Sequence, residues 1–289
     1  MFGMKKTKQK SGSAGHSHFR KFVVASLLTL SCLFNRAAFA QEATPDTVNT
    51  AATTTAVVDT SAEQDDDLMP LPVGTLSESS GISGTISAVS QYRLRGITQS
   101  NGNPAVQGGI DWSHNSGAYA GIWGSNIDFD AACLETDVYG GYKAKLSDID
   151  LDVGVIGYVY PGASSSLHYN RWEGKIIAGH VFALANVSGG ISHSFNGFAN
   201  SGPATYVSTS LIAPSKHAPI TVTGSFGHQW FGNSGTFGFP DYSDWSLGVG
   251  YRLHGFDLAL KYINTTLNKN DYPNGCGATA VFSISKVFK

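Results

Sequence analysis

The chain has 289 residues, of which 14% are charged and 11% are aromatic, and it contains 34 glycines. The charged share lies well below the value of about 25% that is usual for soluble domains, and abundant glycine and aromatic residues favour strands over helices. Beyond the N-terminus no run of about 18 apolar residues occurs, which excludes a membrane-spanning helix in the body of the chain.

The N-terminus has the features of a secretory signal peptide. A basic segment extends to Lys21, an apolar segment follows over residues 22–34, and Ala38 and Ala40 form an A-x-A cleavage site. These features predict that residues 1–40 are removed by cleavage after Ala40. Cys32 leaves a lipoprotein as the alternative.

Cleavage at this site changes the charge of the chain. Seven of the 19 basic residues are removed and none of the 21 acidic ones, which leaves 12 against 21 and a net charge of −9. Residues 41–80 are rich in Ala, Thr and Asp, lack hydrophobic periodicity and hold eight of the acidic residues. We predict a disordered acidic linker in the periplasm. Residues 81–289 are nearly neutral, and this charge balance gives no support to nucleic-acid binding.

From residue 81 to 289 the chain consists of segments with alternating apolar and polar residues, separated by turn-forming clusters. Regularly spaced segments of this kind predict an all-β domain. The twelve predicted segments are 83–95, 104–113, 117–127, 134–145, 149–160, 171–182, 186–195, 204–213, 219–231, 243–253, 255–265 and 277–288.

The strands of a soluble β-sandwich also alternate apolar and polar residues, so alternation alone does not decide. Three further features favour a transmembrane barrel. The connections after odd-numbered segments are long, whereas those after even-numbered segments are mostly short. The last segment is aromatic and suited to pair with the first. Aromatic residues gather at the ends of the apolar faces, which is typical of lipid-facing girdles. The predicted girdle residues are Tyr92, Trp112, Trp123, Trp172, Trp230, Trp245, Tyr251, Tyr262 and Phe288.

The predicted architecture is a closed antiparallel barrel of about twelve strands. Lipid cannot satisfy exposed backbone groups, so a spanning β-structure must close. An even strand number places both termini and the short turns in the periplasm and the longer loops outside. In this arrangement "QYRLRGITQSNGNPAVQGG" (residues 91–109) forms the first hairpin, with Tyr92 and Leu94 towards lipid and Arg93 and Arg95 towards the lumen.

Residues 92–129 carry the most specific sequence, together with "ETDVYGGY" (135–142) and "GYVYPG" (157–162). These stretches resemble the TorF-type porins of proteobacteria, a long uncharacterised family. The resemblance extends over roughly residues 81–289 and implies an outer-membrane β-barrel with a pore. It implies no catalytic residues. The chain departs from the usual barrel ending, because Lys289 follows the terminal aromatic residue.

Charged residues on the polar faces are candidates for a constriction that selects small polar solutes. The alternative is a network of ion pairs that only stiffens the barrel. The candidates are Arg93, Arg95, Glu135, Asp137, Lys143, Asp150, Asp152, Arg171, Glu173, Lys175, Arg252 and Lys261.

The remaining candidate sites are weaker. Cys133 and Cys276 both fall in predicted outer loops, and a secreted protein permits a disulfide between them. The histidines lack metal-ligand spacing, so we predict neither a metal site nor a cofactor. A lipid hydrolase would need a Ser/His pair, and Ser246 faces away from His228 in the predicted register. A structural or adhesive surface barrel stays open as an alternative. The expected partners are lipopolysaccharide and other outer-membrane lipid, the barrel-assembly machinery and small polar solutes.

Overall fold

A computed structural model describes residues 80–289, except 130, 234–239, 269–270 and 273–274. Over this range the chain forms a closed barrel of twelve antiparallel strands. Each barrel strand pairs with the next barrel strand along the chain, and the last one pairs with the first. The all-β barrel predicted from the sequence is therefore confirmed. The predicted signal peptide (1–40) and nearly all of the linker (41–80) lie outside the described residues.

The described residues form fourteen strands, of which twelve make up the wall. The wall strands are β1 (Gly81–Val89), β4 (Ala105–Ser113), β5 (Ala118–Phe129), β6 (Ala132–Leu146), β7 (Ile149–Val159), β8 (Arg171–Val181), β9 (Asn186–Ser194), β10 (Ala204–Pro214), β11 (Ile220–Phe231), β12 (Tyr242–Leu253), β13 (Phe256–Thr265) and β14 (Thr279–Phe288). The short strands β2 (Arg93–Leu94) and β3 (Ile97–Thr98) pair only with each other. In the described part of the chain, no helix is long and apolar enough to cross a membrane.

The two ends of the barrel differ in their connections. At the end that holds both termini, the connections are 114–117, 147–148, 182–185, 215–219 and 254–255. We call this end the turn rim. At the other end, the loop rim, the connections include 90–104, 160–170, 195–203, 232–241 and 266–278. The predicted long loop after β5 is wrong, because β5 and β6 extend further than predicted and leave only residues 130–131 between them.

The outer surface of the barrel is apolar. Side chains alternate across each strand, and on the outside this alternation leaves large apolar residues exposed on every wall strand, such as Ile110, Ile176 and Leu247. Six of the predicted girdle residues are among the exposed ones, and Trp245 is half-buried on the same face. The exposed girdle residues are Trp112, Trp172, Trp230, Tyr251, Tyr262 and Phe288.

Two predicted girdle residues lie inside the barrel instead. Tyr92 and Trp123 are 4% and 3% exposed, and their rings meet edge to face at 5.5 Å. Trp123 points inwards because β5 alternates with Ser125 and Ile127 on the inner face. Tyr92 lies in the loop that follows β1, so the alternation of that strand does not govern its side chain. The prediction that these two residues face lipid is wrong.

Inward-facing glycines make room for tyrosines that lie flat across the wall. A Cβ atom at Gly141 or Gly154 would lie 2.5 Å from the Tyr119 hydroxyl oxygen. Gly227 is covered in the same way by the Tyr206 ring. A glycine in a strand commonly marks such a close approach. These inner glycines therefore leave space in which tyrosine side chains pack against the wall, and this space does not widen the lumen.

Replacing Gly227 with valine is expected to lower the free energy of unfolding by about 1–3 kcal/mol, the usual cost of overpacking. The added side chain would displace the Tyr206 ring, which lies against Gly227. Gly174→Val is the matched control, because a Cβ at this exposed position on β8 has no atom within 4 Å. Urea unfolding followed by tryptophan fluorescence compares the two variants. Equal loss of stability in both would contradict the role assigned to Gly227.

Candidate functional site: a constriction in the lumen

The connection between β1 and β4, residues 90–104, holds a small hairpin that carries Arg95 at its tip. Strands β2 and β3 are joined by Arg95 and Gly96, whose φ angles are 48° and 76°. Positive φ at both central residues is the signature of a type I′ hairpin turn. A Cβ on Gly96 would lie 3.0 Å from that of Asp244 and closer still to Thr265, so the tip packs tightly against β12 and β13.

Hydrogen bonds to neighbouring loops fix this hairpin. The Arg93 guanidinium donates to the carbonyls of Gly96 at 2.6 Å and Gly277 at 3.0 Å. The backbone N–H of Thr98 donates to the Gly275 carbonyl at 2.8 Å. Arg93 thus anchors the hairpin to the connection between β13 and β14, and its predicted position on a lumen strand is wrong.

Arg95 reaches from the hairpin tip to side chains on the wall. One terminal nitrogen lies 2.6 Å from a Glu173 carboxylate oxygen, and the other donates to the Gln229 side-chain carbonyl at 2.8 Å. The guanidinium carbon also lies 4.4 Å from the centroid of the Tyr206 ring. These partners belong to β8, β11 and β10. Arg95 therefore links the hairpin to three wall strands.

Arg171 extends this cluster along β8. Its Nε lies 3.4 Å from the second Glu173 oxygen, and one terminal nitrogen donates to the Tyr160 hydroxyl at 3.0 Å. Its guanidinium carbon also lies 3.8 Å from the centroid of the Tyr158 ring. Glu173 is thus shared between two buried guanidinium groups. Such a carboxylate compensates charges that would be costly to bury alone.

A second charged group lies on the inner faces of β6, β7 and β8. Asp152 accepts a hydrogen bond from the Tyr119 hydroxyl at 2.7 Å and lies 3.5 Å from the Lys175 ammonium. The Lys143 ammonium is 5.3 Å from the centroid of the Tyr119 ring. These three predicted lumen residues are therefore brought together, and Tyr119 joins them.

Buried carboxylates in the lumen repeatedly accept hydrogen bonds from tyrosines. Tyr92 donates to Glu135 at 2.9 Å, and Tyr206 donates to Asp244 at 3.0 Å. Both carboxylates are almost fully inaccessible, as is Asp137 on the same face of β6 as Glu135. Bonding to a hydroxyl offsets part of the cost of burying a charge.

The remaining predicted lumen residues lie apart from these clusters. Lys145 and Asp150 form an ion pair of 2.9 Å near the turn rim, where the Lys145 side chain is 48% exposed. Arg252 and Asp257 form another pair, at 3.5 Å, beside the turn at 254–255. Lys261 is buried on the inner face of β13. The predicted charges therefore occupy several levels of the lumen rather than one ring.

Three members of the cluster around Arg95 were not predicted from the sequence: Gln229, Tyr206 and Asp244. Each of the three lies on the polar, inward face of its strand, and the sequence shows this face as alternate residues. Gln229 and Tyr206 carry no charge, so a search for charged residues passes over them, whereas Asp244 is charged and was missed although it lies on the inner face of β12. The adjacent inner glycine, Gly227, was the usable clue to Tyr206.

Cys133 and Cys276, both within the described residues, are not joined by a disulfide. Cys133 lies on β6, whereas Cys276 lies in the connection before β14, and three wall strands separate β6 from β14. A disulfide requires Cα atoms within about 7 Å. The Cys276 thiol instead donates within its own loop to the carbonyls of Tyr272 and Asn268. The disulfide that the sequence left possible is therefore not formed.

Both cysteines are therefore expected to stay reduced after purification in air. Reducing and non-reducing gels of the boiled chain should show the same mobility, and a thiol reagent should titrate both residues after denaturation. A change in mobility that is lost in Cys276→Ser would contradict this expectation.

The structure pairs His228 with Ser243 rather than with Ser246. The His228 ring nitrogen Nδ1 lies 2.7 Å from the Ser243 hydroxyl on the outer surface. An equivalent pair joins His193 to Thr205 at 2.9 Å. Because this contact recurs, we interpret it as a cross-strand surface interaction rather than a nucleophile and base. Within the described ranges, no group of three or more His, Cys, Asp or Glu residues could hold a metal ion.

Residues 75–288 match the model of a family described as a bacterial protein of unknown function, Gcw_chp. No curated protein matches the chain. Solved structures of outer-membrane porins and channels are similar to it at low sequence identity. A NanC porin structure has 9% identity and a TM-score of 0.49, and the match covers 72% of this chain and 100% of that one.

A KdgM porin in complex with disordered oligogalacturonate has 10% identity and a TM-score of 0.46, over 73% of this chain and 99% of that one. An outer-membrane channel from Pseudomonas putida F1 has 11% identity and a TM-score of 0.44, over 75% and 97%. The resemblance to the TorF-type porins stays a prediction.

Proposed function

The chain belongs to the Gcw_chp family of bacterial proteins, and we propose that it forms an outer-membrane channel. In this proposal small polar solutes diffuse passively through a narrow, charged lumen. The observation that carries it is a charged hairpin held inside a closed barrel whose outer face is apolar.

The contrast between the two faces of the wall supports a membrane location. Large apolar side chains are exposed on the outside, whereas charged and hydroxyl side chains line the inside. Such a surface would be costly in water, but it suits the hydrocarbon core of a bilayer. Closure of the sheet also leaves no unpaired strand edge for lipid to solvate.

The hairpin supports a narrow passage. Arg95 extends from the hairpin inside the barrel and brings a guanidinium beside the Glu173 carboxylate, with Gln229 and Tyr206 around it. Opposed charges at a narrow point create a local field that favours polar solutes over apolar ones. Arg95 and Glu173 are therefore the proposed constriction, and Arg171 supports it.

The predicted signal peptide sets the proposed orientation. Both termini of the barrel and the turn rim would lie in the periplasm with the acidic linker, and the loop rim would face outwards. Delivery of such a barrel requires the barrel-assembly machinery. Lipopolysaccharide would then surround the exposed aromatic residues near the loop rim, such as Trp172 and Trp230.

A structural or adhesive barrel without a conducting pore is the second candidate. The observation in its favour is the same cross-lumen cluster, because an ion pair of 2.6 Å buried within the barrel narrows the lumen.

Liposome swelling distinguishes the two candidates. The full chain, purified in detergent and reconstituted, is expected to accelerate swelling in small polar solutes, with rates that fall steeply as solute size increases. Folding is checked by the different gel mobility of boiled and unboiled samples. A folded barrel that gives no swelling in any solute would favour the structural role.

A further inference from the structure

A cavity of about 530 Å³ lies at the loop-rim end of the lumen, above the Arg95 cluster. Its polar lining residues are Arg95, Thr98, Gln99, Asn101, Asp128, Arg171, Glu173 and Gln229. Cavities of this size accommodate small organic ligands, which they typically hold through apolar walls and a few polar groups. The loop-rim connections and the inward hairpin together form this vestibule, the name we use for the cavity.

One wall of the vestibule consists of aromatic side chains from separate segments. Tyr169 and Phe198 stack at 4.4 Å with an interplanar angle of 18°, and Phe129 and Tyr160 stack at 5.9 Å. All four line the cavity. Aromatic side chains offer flat faces and edges to which a planar ring binds in stacked or edge-to-face geometry. This wall favours a ligand with an aromatic ring.

The buried end of the vestibule is lined by charged side chains. It contains two guanidinium groups, Arg95 and Arg171, and one carboxylate, Glu173. Both terminal nitrogens of Arg95 bond to Glu173 or Gln229. Among the described residues, Arg171 makes hydrogen bonds through Nε and Nη1 only, which leaves Nη2 to bind another acceptor.

Two other carboxylates lie near this end of the cavity. Asp128 accepts a hydrogen bond from Asn103 at 3.0 Å in an exposed contact. Glu135 is not part of the cavity lining, and it accepts a hydrogen bond from Tyr92 and interacts electrostatically with Arg171. A planar carboxylate matches the donor geometry of a guanidinium. Arg171 therefore favours a ligand with an anionic group at one end.

We propose that the vestibule is a binding site for small aromatic carboxylates. Their ring would lie against the wall formed by Tyr169 and Phe198, and their carboxylate would bind Arg171. The inference deepens the proposed channel function by naming a class of solute, and it rests on that function only for the solute's passage. Binding itself requires no conduction.

Three matched probes test the site on the full chain in detergent: phenylacetate, phenylacetamide and cyclohexylacetate. Isothermal titration is expected to give the tightest binding for phenylacetate and about tenfold weaker binding for each of the others. The amide loses the charge-assisted hydrogen bond to Arg171, and the saturated ring loses the stacked or edge-to-face contact with the aromatic wall. A tenfold change corresponds to about 1.4 kcal/mol. Equal binding of all three probes, or binding of none, would overturn the proposal.

Two variants assign the preference to the proposed groups. Arg171→Gln should remove the difference between the acid and the amide, and Phe198→Leu should remove the difference between the aromatic and the saturated ring. Lys216→Gln removes the same charge from an exposed turn at the other rim and should bind like the parent chain. A loss of acid preference in Lys216→Gln would show general charge attraction and overturn the site.

Phenylacetate binding tests the vestibule site and liposome swelling tests the channel, so each hypothesis can fail without the other. A chain that binds phenylacetate but gives no liposome swelling would contradict the channel and keep the binding site. A chain that conducts polar solutes and binds none of the probes would keep the channel, and the aromatic wall would then serve only to pack the loops together.

Discussion

Replacing Arg95 with alanine is expected to increase single-channel conductance and to shift selectivity towards cations. The side chain connects the hairpin to Glu173 on β8, so its removal widens the narrowest proposed point. It also leaves Glu173 with one guanidinium partner instead of two. A unit charge at about 4 Å in a water-like medium contributes about 1 kcal/mol, which corresponds to about a fivefold change in the ratio of cation to anion permeability.

Arg93→Ala is the matched control, because it removes the same charge two residues away. Arg93 donates to the Gly96 and Gly277 carbonyls rather than to a carboxylate across the lumen. This variant should loosen the hairpin and increase current noise with a smaller change in selectivity. Reversal potentials in a salt gradient measure both variants. An equal change in selectivity for the two arginines would contradict the assignment of the constriction to Arg95.

Replacing Glu173 with glutamine is expected to destabilise the barrel by about 3–5 kcal/mol, as is usual when one partner of a buried ion pair is removed. Two guanidinium groups would then lie side by side without a carboxylate between them, since Arg95 and Arg171 both contact Glu173. Urea unfolding followed by tryptophan fluorescence should show an earlier transition.

Asp150→Asn provides the comparison for Glu173→Gln. It also converts a paired carboxylate to an amide, but its partner Lys145 is largely exposed at the turn rim. Exposed ion pairs contribute about 0–1 kcal/mol, so this variant should unfold close to the parent chain. An equal loss of stability in both variants would contradict the claim that the buried cluster around Glu173 stabilises the barrel more than an exposed ion pair does.

The strands of the wall were largely predictable from the sequence. The predicted segment 149–160 corresponds to β7 (Ile149–Val159), and 171–182 corresponds to β8 (Arg171–Val181). Such agreement arises because each wall strand meets an apolar and a polar environment on opposite faces, which imposes a period of two on the sequence. The charged inner face of β8 follows directly from this period.

The hairpin was not predictable by the same rule. Alternation continues in the sequence past Val89, so Tyr92, Leu94 and Arg95 fit an extended strand, although β1 ends at Val89. The chain turns inwards instead, and both apolar side chains are buried against other residues of the lumen. The usable signal was the pair Arg95–Gly96, where glycine permits the positive φ of a tight turn. An arginine at the other turn position conceals that signal.

Contacts between side chains that are far apart in the chain could not be predicted from the sequence either. Arg95 and Glu173 are 78 residues apart in the chain, and their contact depends on how far the hairpin enters the lumen. Alternation assigns a side chain to a face but gives neither its height along the barrel axis nor its partner across the lumen. The predicted charges were therefore identified as a set, while their division into separate clusters required the structure.

The most direct test of the constriction compares single-channel conductance with and without the hairpin. Residues 91–102 are replaced by a flexible Gly-Ser linker, which leaves β1 and β4 intact, and both chains are inserted into planar bilayers under the same salt conditions. We expect small, discrete conductance steps for the parent chain and clearly larger steps for the variant. Equal steps from two folded barrels would contradict a constriction formed by the hairpin and Arg95.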